Sequence, residues 1–360
     1  MTSATSDSCV GRIRLLAFAV RLPLLRVLAT GAGCCLLGLM LGCSTPQPPG
    51  NSTLLHDAFG VNMHPERYDA QMAERQFEEC RKLGITQVRV AVEWLTLEPE
   101  RNRYDFTAMD SVLALATKHG IEVLEVLCYN AAWNTAVAGN TKTRPRDLAA
   151  FGTFVEQMAR RYRGKIRSWE VWNEPNADTF LSGPYAEHPD QRWRDYRDIL
   201  EVAYRALKRV DPDNVVVFGG IAHTTEAWWR DLEAYFAAGA LDFCDVLAIH
   251  PYAGGDPEDT RWYPRYIDEM LAVMARHGDA RPVWITEVGY PTAGHELAVT
   301  EAQQADYLPR AVRLALARPQ VKKVFWYDLV DGGESFGLLR ADLTPKPAAA
   351  SVQRLLAGAR

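Results

Sequence analysis

The chain has 360 residues, 48% of them hydrophobic and 24% charged. That balance describes a globular body with an ample core, not a disordered or fibrous chain, and the length suits one large domain or two ordinary ones. The formal net charge is -5, and without the basic leader ahead of Cys43, 36 basic residues face 44 acidic ones; such a body has no electrostatic reason to seek nucleic acid.

Residues 1–43 read as an export signal. Arg12, Arg14, Arg21 and Arg26 precede an apolar run from Val27 to Leu41, too short and too rich in glycine for a membrane span. Met40-Leu41-Gly42-Cys43 resembles the lipobox of bacterial lipoproteins, in which the cysteine becomes the acylated N-terminus. Cys43 is therefore the expected lipidation site. The expected location is a membrane facing the periplasm or the cell surface, with release into the periplasm or medium as the alternative. Residues 44–56 open with the Pro-rich STPQPPGN and read as an extended tether. The remaining 57–360 reads as one folded domain. Three cysteines fall within it, Cys80, Cys128 and Cys244. They are too few and too scattered for a disulfide framework or a zinc motif, and read as small buried hydrophobes.

From Phe59 onward strand and helix alternate. The strand candidates are Phe59–Met63, Gln87–Val92, Glu122–Leu127, Ile166–Trp172, Val215–Phe218, Val246–His250, Val283–Thr286 and Lys323–Tyr327. All are short runs of Val, Ile, Leu, Phe and Trp, as buried parallel strands are. Between and after them lie amphipathic stretches at Ala70–Leu83, Ala108–His119, Asp147–Tyr162, Tyr196–Val210, Ala227–Ala238, Ile267–His277, Glu301–Ala317 and Ala348–Leu356. Eight strand–helix units in about 300 residues predict a single-domain (β/α)8 TIM barrel. A doubly wound open sheet is the alternative, but Asn62-Met63-His64-Pro65 after the first strand is no Gly-rich phosphate turn.

Two segments carry chemistry. Trp172-Asn173-Glu174-Pro175 ends the fourth strand, and Trp284-Ile285-Thr286-Glu287-Val288-Gly289 ends the seventh. Catalytic residues of barrel enzymes come from such strand ends. Glu174 and Glu287 are 113 residues apart, close to three units of roughly 38 residues each. Two carboxylates facing each other across a cleft, one protonated and one ionised, are what acid-assisted cleavage of a glycosidic bond requires.

At these residues the chain resembles the clan of retaining (β/α)8 glycosidases with glutamates on strands four and seven. Glu170-Val171-Trp172-Asn173-Glu174-Pro175-Asn176 is most similar to glycoside hydrolase family 39, with family 5-like enzymes close by. The resemblance implies Glu174 as acid/base and Glu287 as nucleophile, on a poly- or oligosaccharide such as a bacterial exopolysaccharide, without metal or cofactor. It further implies that Asn173 orients a substrate hydroxyl, that Arg89 and Tyr252 hydrogen-bond the nucleophile, that His250 supports the site, and that Trp326 is the aromatic platform under the sugar. Chemistry adds that Glu174 must hold a proton, for which Trp172 would supply an apolar wall and ionised Glu287 a nearby negative charge.

Two other classes compete. His64, His223, His250 and Asp328 could form an amidohydrolase-like metal site, although the His-x-His pair of the first strand and a lysine on the fourth are missing. A non-catalytic sugar-binding barrel would keep the cleft and could lose either carboxylate; this chain has both. Specificity is expected in the loops Asn130–Pro145, Ala177–Arg192 and Gly254–Trp262.

Overall fold

The computed structural model describes residues 52–223 and 227–358. The expected signal, Cys43 and most of the expected tether lie outside the described residues. The strands are β1 (Phe59–Asn62), β2 (Gln87–Val90), β3 (Glu122–Leu127), β4 (Ser168–Val171), β5 (Val215–Phe218), β6 (Ile221–Ala222), β7 (Leu247–His250), β8 (Val283–Val288) and β9 (Val321–Trp326). The helices are α1 (Ser52–Ala58), α2 (Ala70–Leu83), α3 (Trp94–Leu97), α4 (Thr107–His119), α5 (Leu148–Arg161), α6 (Pro189–Val210), α7 (Trp229–Ala237), α8 (Tyr263–Arg276), α9 (Glu301–Leu316) and α10 (Pro347–Ala357).

The strands pair in the order β5-β4-β3-β2-β1-β9-β8-β7-β6, all in parallel. A parallel bridge between Val217 and Val246 and a bond from Phe218 N to Val246 O at 2.9 Å join the two ends, so the sheet closes. β5 and β6 are one barrel strand interrupted at Gly219-Gly220, and β8 and β9 are the seventh and eighth. This is the (β/α)8 barrel that the alternation predicts.

Local sequence explains where the elements start and stop. Asp69 caps α2 by accepting from Met72 N, and Gly84 ends it in the left-handed region. Thr300 and Gln303 form a capping box on α9. α6 begins at Pro189, seven residues before the predicted Tyr196, because a proline suits the first helical turn, where its missing N–H is not needed. The specificity loop expected to run to Arg192 therefore ends at the helix. The tether boundary also moves. α1 begins at Ser52, and the His56 and Asp57 carbonyls accept bonds from Gln87 Nε2 at 3.3 and 2.6 Å, so the folded body starts before residue 57.

Strand side chains alternate between the helix layer and the barrel interior. Leu124, Val217, Ala248, Trp284 and Phe325 form an inner apolar plug separate from the main core. One pleat further along their strands, the same inward parity carries His250 after Ala248, Thr286 after Trp284 and Tyr327 after Phe325. Arg89 and Glu170 point inward beside them. The interior thus changes from an apolar floor to a polar ceiling at the C-terminal face, where barrel enzymes hold their sites.

Candidate active site

Arg89 organises the ceiling. It is 6% exposed, and its guanidinium donates to Glu170 at 2.7 and 3.1 Å, Asn62 Oδ1 at 2.8 Å, Asn173 Oδ1 at 2.7 Å and Glu287 Oε1 at 2.6 Å. A buried cation is tolerable only when its charge and donors are matched in this way. Glu170, fully buried on β4, supplies the structural half of the match. It also accepts from Gly220 N at 3.0 Å and from the Thr286 hydroxyl at 3.2 Å.

Glu287, on β8, is 9% exposed. Tyr252 donates to its second oxygen at 2.9 Å. Burial alone would push its carboxyl up, but positive His250 and Arg89, and the bonds from Tyr252 and Arg89, more than offset that and leave it below the ordinary carboxylate range. Glu287 is therefore held ionised.

Glu174 follows β4 through a turn in which Trp172 and Glu174 both take positive φ, 70° and 45°, a conformation that side-chain-bearing residues rarely adopt and that clusters at functional sites. His250 Nδ1 lies 2.7 Å from Glu174 Oε1 and 3.7 Å from Glu287 Oε2, while its Nε2 meets Thr286 Oγ1 at 3.0 Å. Burial disfavours the His250 charge, yet Glu287 and the bond to Glu174 raise its pKa overall. Gly220 makes room for this ring: a Cβ there would overlap the imidazole.

One oxygen of each glutamate and a ring nitrogen of His250 lie within 4.8 Å of one another. Three such atoms could ligate a cation, but Arg89 against Glu287 and the raised His250 pKa both oppose one, since a protonated imidazole has no lone pair to give. The four residues of the alternative metal site do not form one ligand cluster among the described residues. His64 lies 3.8 Å from Asp328, His223 stacks on Tyr266, and His250 is committed to Glu174 and Thr286.

The cavity over the glutamates is lined by Arg89, Asn173, Tyr129, Phe180, Glu93 and Tyr327, among others. Arg89, Asn173, Glu174, Glu287, Tyr252 and His250 thus come together as the sequence pattern places them. Trp326 does not. It is fully buried, packs against Tyr290 with ring centres 6.1 Å apart, and belongs to the helix-facing core. Strand parity explains the correction: Phe325 and Tyr327 point inward, so Trp326 between them points outward. Tyr327 takes the cavity position. Trp172 is likewise no wall for Glu174. Its indole is buried against Phe151 of α5 and donates to Phe180 O at 2.8 Å, leaving Tyr129 and Phe180 to face the cavity. Asn62, Glu170, Thr286 and Tyr327 were missed by the sequence reading. The available signal was a charged or polar residue in phase with Arg89 inside an apolar strand.

The family model described as cellulase (glycosyl hydrolase family 5) matches residues 48–327. The chain is 28% identical over 312 residues to endo-1,4-beta-xylanase B of Thermotoga neapolitana, across 79% of this chain and 84% of that protein. It is 26% identical over 231 residues to a beta-xylosidase of Caldicellulosiruptor saccharolyticus, across 57% of this chain and 43% of the relative. Among solved structures, a family 39 glycoside hydrolase from Bacteroides cellulosilyticus WH2 matches with a TM-score of 0.66 and 24% identity, over 84% of this chain and 63% of that one. Xylanase 10B from Thermotoga maritima matches at 0.60 and 18%, over 85% and 97%. These structural likenesses speak for the fold. The chain spans less than two thirds of the beta-xylosidase and of the family 39 enzyme.

Proposed function

The chain belongs to the cellulase family, glycosyl hydrolase family 5, and from that premise we propose that it is a retaining glycosidase cleaving O-glycosidic bonds of a poly- or oligosaccharide by double displacement. The observation that carries this is the pair Glu174 and Glu287, with oxygens within 4.8 Å and only Glu287 gripped by two donors, Arg89 and Tyr252. That approach favours a retaining pair, whose carboxyl groups stand about 5–5.5 Å apart, over an inverting one, whose groups stand about 6.5–9.5 Å apart with a water between them.

Each residue then has a role. Glu174 protonates the leaving oxygen while ionised Glu287 attacks the anomeric carbon and forms a glycosyl ester. Glu174, now a carboxylate, takes a proton from water as it opens that ester, so the anomeric configuration is retained. Asn173, fixed by Arg89 at 2.7 Å, keeps its amide nitrogen for a substrate hydroxyl. His250 orients Glu174. A barrel that only bound sugar would have no use for an ionised carboxylate buried between two donors.

The relatives named as xylanases and a xylosidase favour a β-1,4-linked xylan or xylo-oligosaccharide as substrate. An exopolysaccharide crossing the cell envelope is the second reading, favoured by the lipobox-like sequence at Cys43. We propose the acyl anchor on the same sequence.

The roles are tested with an aryl glycoside bearing an activated leaving group. Glu174→Ala no longer needs the acid for the first step, so azide should speed turnover and give a glycosyl azide of retained configuration. Glu287→Ala should form no covalent intermediate, and azide can yield only the inverted product. The opposite pairing of variant and product means that the roles are reversed.

A further inference from the structure

Lys346 is 2% exposed, although its side chain ends in an ammonium. That ammonium has three acceptors: Asp331 Oδ1 at 2.7 Å, Thr292 Oγ1 at 2.9 Å and Ser335 O at 3.1 Å. We infer that Lys346 is a positioning residue for the reaction: it fixes the loop after the eighth barrel strand, and through Phe336 of that loop it sets where Tyr252 meets Glu287. The inference rests on the glycosidase reading.

The sequence prepares the lysine. It stands between Pro345 and Pro347, and a residue before proline is confined to extended backbone. Lys346 accordingly has φ -81° and ψ 165°. Its N–H donates to Leu338 O at 3.0 Å, so backbone and side chain both hold the segment that follows the eighth strand. That segment needs a hold. Gly332 and Gly333 are exposed, and a Cβ on either would meet nothing, so packing does not fix the tip, and glycine loses more freedom on ordering than any other residue. Gln304 of α9, fully buried, adds a second hold by donating to Phe336 O at 3.1 Å.

A buried charge at this place points to geometry rather than stability. A buried ion pair seldom stabilises more than apolar side chains of the same volume would, because desolvation offsets the attraction. What it adds here is direction. Asp331 Oδ1 also accepts from Gly337 N at 2.8 Å, and Ser335 O also accepts from Thr292 N at 2.9 Å. One ammonium therefore fixes the chain on both sides of Phe336 and joins the loops that follow the seventh and eighth barrel strands.

Phe336 carries that position to the site. It is buried, and its ring meets Tyr327 edge-on with centres 5.4 Å apart and Tyr252 with centres 5.8 Å apart. Tyr252 and Tyr327 are 6.4 Å apart, so the three rings form one cluster with the edge-to-face geometry that aromatic pairs prefer. Tyr252 lies beyond the end of β7, just ahead of Gly254-Gly255. The ring cluster, not a strand, thus holds its hydroxyl 2.9 Å from Glu287. A hydrogen bond weakens steeply as its angle departs from linear, so slack at Phe336 becomes slack in that bond.

The test is the pH dependence of kcat/KM for the full chain as wild type, Lys346→Met, Tyr252→Phe and the double variant. The substrate is whichever of dinitrophenyl β-xyloside, β-xylobioside, β-glucoside and β-cellobioside the wild type turns over. Arg89, His250, Glu174 and Asp328, which also act on Glu287, are unchanged in every variant. Lys346→Met should move the acid limb upward by about half a pH unit or more, the direction expected when Glu287 loses a donor. In the Tyr252→Phe background the same substitution should move it no further, because no hydroxyl is left to misplace. An acid limb unmoved by Lys346→Met overturns the positioning role and leaves the glycosidase standing. So does a shift that persists undiminished beside Tyr252→Phe, which would show Lys346 acting through its charge alone. No turnover of any of the four substrates overturns the glycosidase reading and this inference with it. Thr292 is half-buried and supplies one acceptor, so Thr292→Val, with a smaller shift in the same direction, keeps the comparison available if Lys346→Met fails to fold.

Discussion

Replacing Tyr252 by phenylalanine removes one oxygen and little else, which makes it the cleanest probe of how the nucleophile is kept ionised. The Tyr252 hydroxyl donates to Glu287 at 2.9 Å, and that bond is among the influences that lower the Glu287 pKa. A hydrogen bond to a charged group contributes about 1.5–3 kcal/mol, and about 1.36 kcal/mol corresponds to one pH unit of titration. The sign follows from the chemistry. Glu287 works only as the carboxylate, so activity is lost as pH falls through its pKa. A missing donor raises that pKa, and the acid limb moves upward. Tyr252→Phe should shift the acid limb of kcat/KM by about one pH unit or more. The plateau should fall less steeply, because a carboxylate that loses a donor also becomes a stronger nucleophile. The assay is kcat/KM against pH with an activated aryl glycoside. Activity that drops uniformly with the acid limb unmoved would refute the claim that Tyr252 holds Glu287 ionised.

Arg89→Met leaves Glu170 and Glu287 buried without their cation and should cost about 3–5 kcal/mol of folding stability, measured by urea unfolding; a loss under about 1 kcal/mol would show the network to be redundant. Gly220→Ala places a methyl group on the His250 ring and should lower kcat about a hundredfold through misplacement, with the circular dichroism spectrum unchanged; wild-type kcat would mean that His250 does not position Glu174. Cys43→Ser should release the protein from membranes or leave it unprocessed. A wild type recovered as soluble periplasmic protein with a free amino terminus would rule out the anchor.

The barrel was legible because each unit announces itself twice, as an apolar run of strand length and as a helix with 3.6-residue periodicity. The glutamates were legible because asparagine, proline and glycine mark where strands stop. Parity was the weak point. An inward or outward assignment requires a strand's phase, and on the eighth strand Phe325, Trp326 and Tyr327 are all aromatic, so hydrophobicity carries no phase there. The inner plug containing Phe325 fixes it and moves the cavity role from Trp326 to Tyr327. Glu170 was hidden for the opposite reason. Only its pairing with Arg89, 81 residues away in sequence, explains a carboxylate inside an apolar strand.

The most direct test of the central claim is to trap the intermediate. The 2-deoxy-2-fluoro analogue of whichever aryl glycoside the wild type turns over should inactivate the enzyme with release of one equivalent of aryl alcohol, and mass spectrometry of proteolytic fragments should place the fluorosugar on Glu287. A label on Glu174, or turnover of the natural bond with inversion and no label at all, would contradict the account.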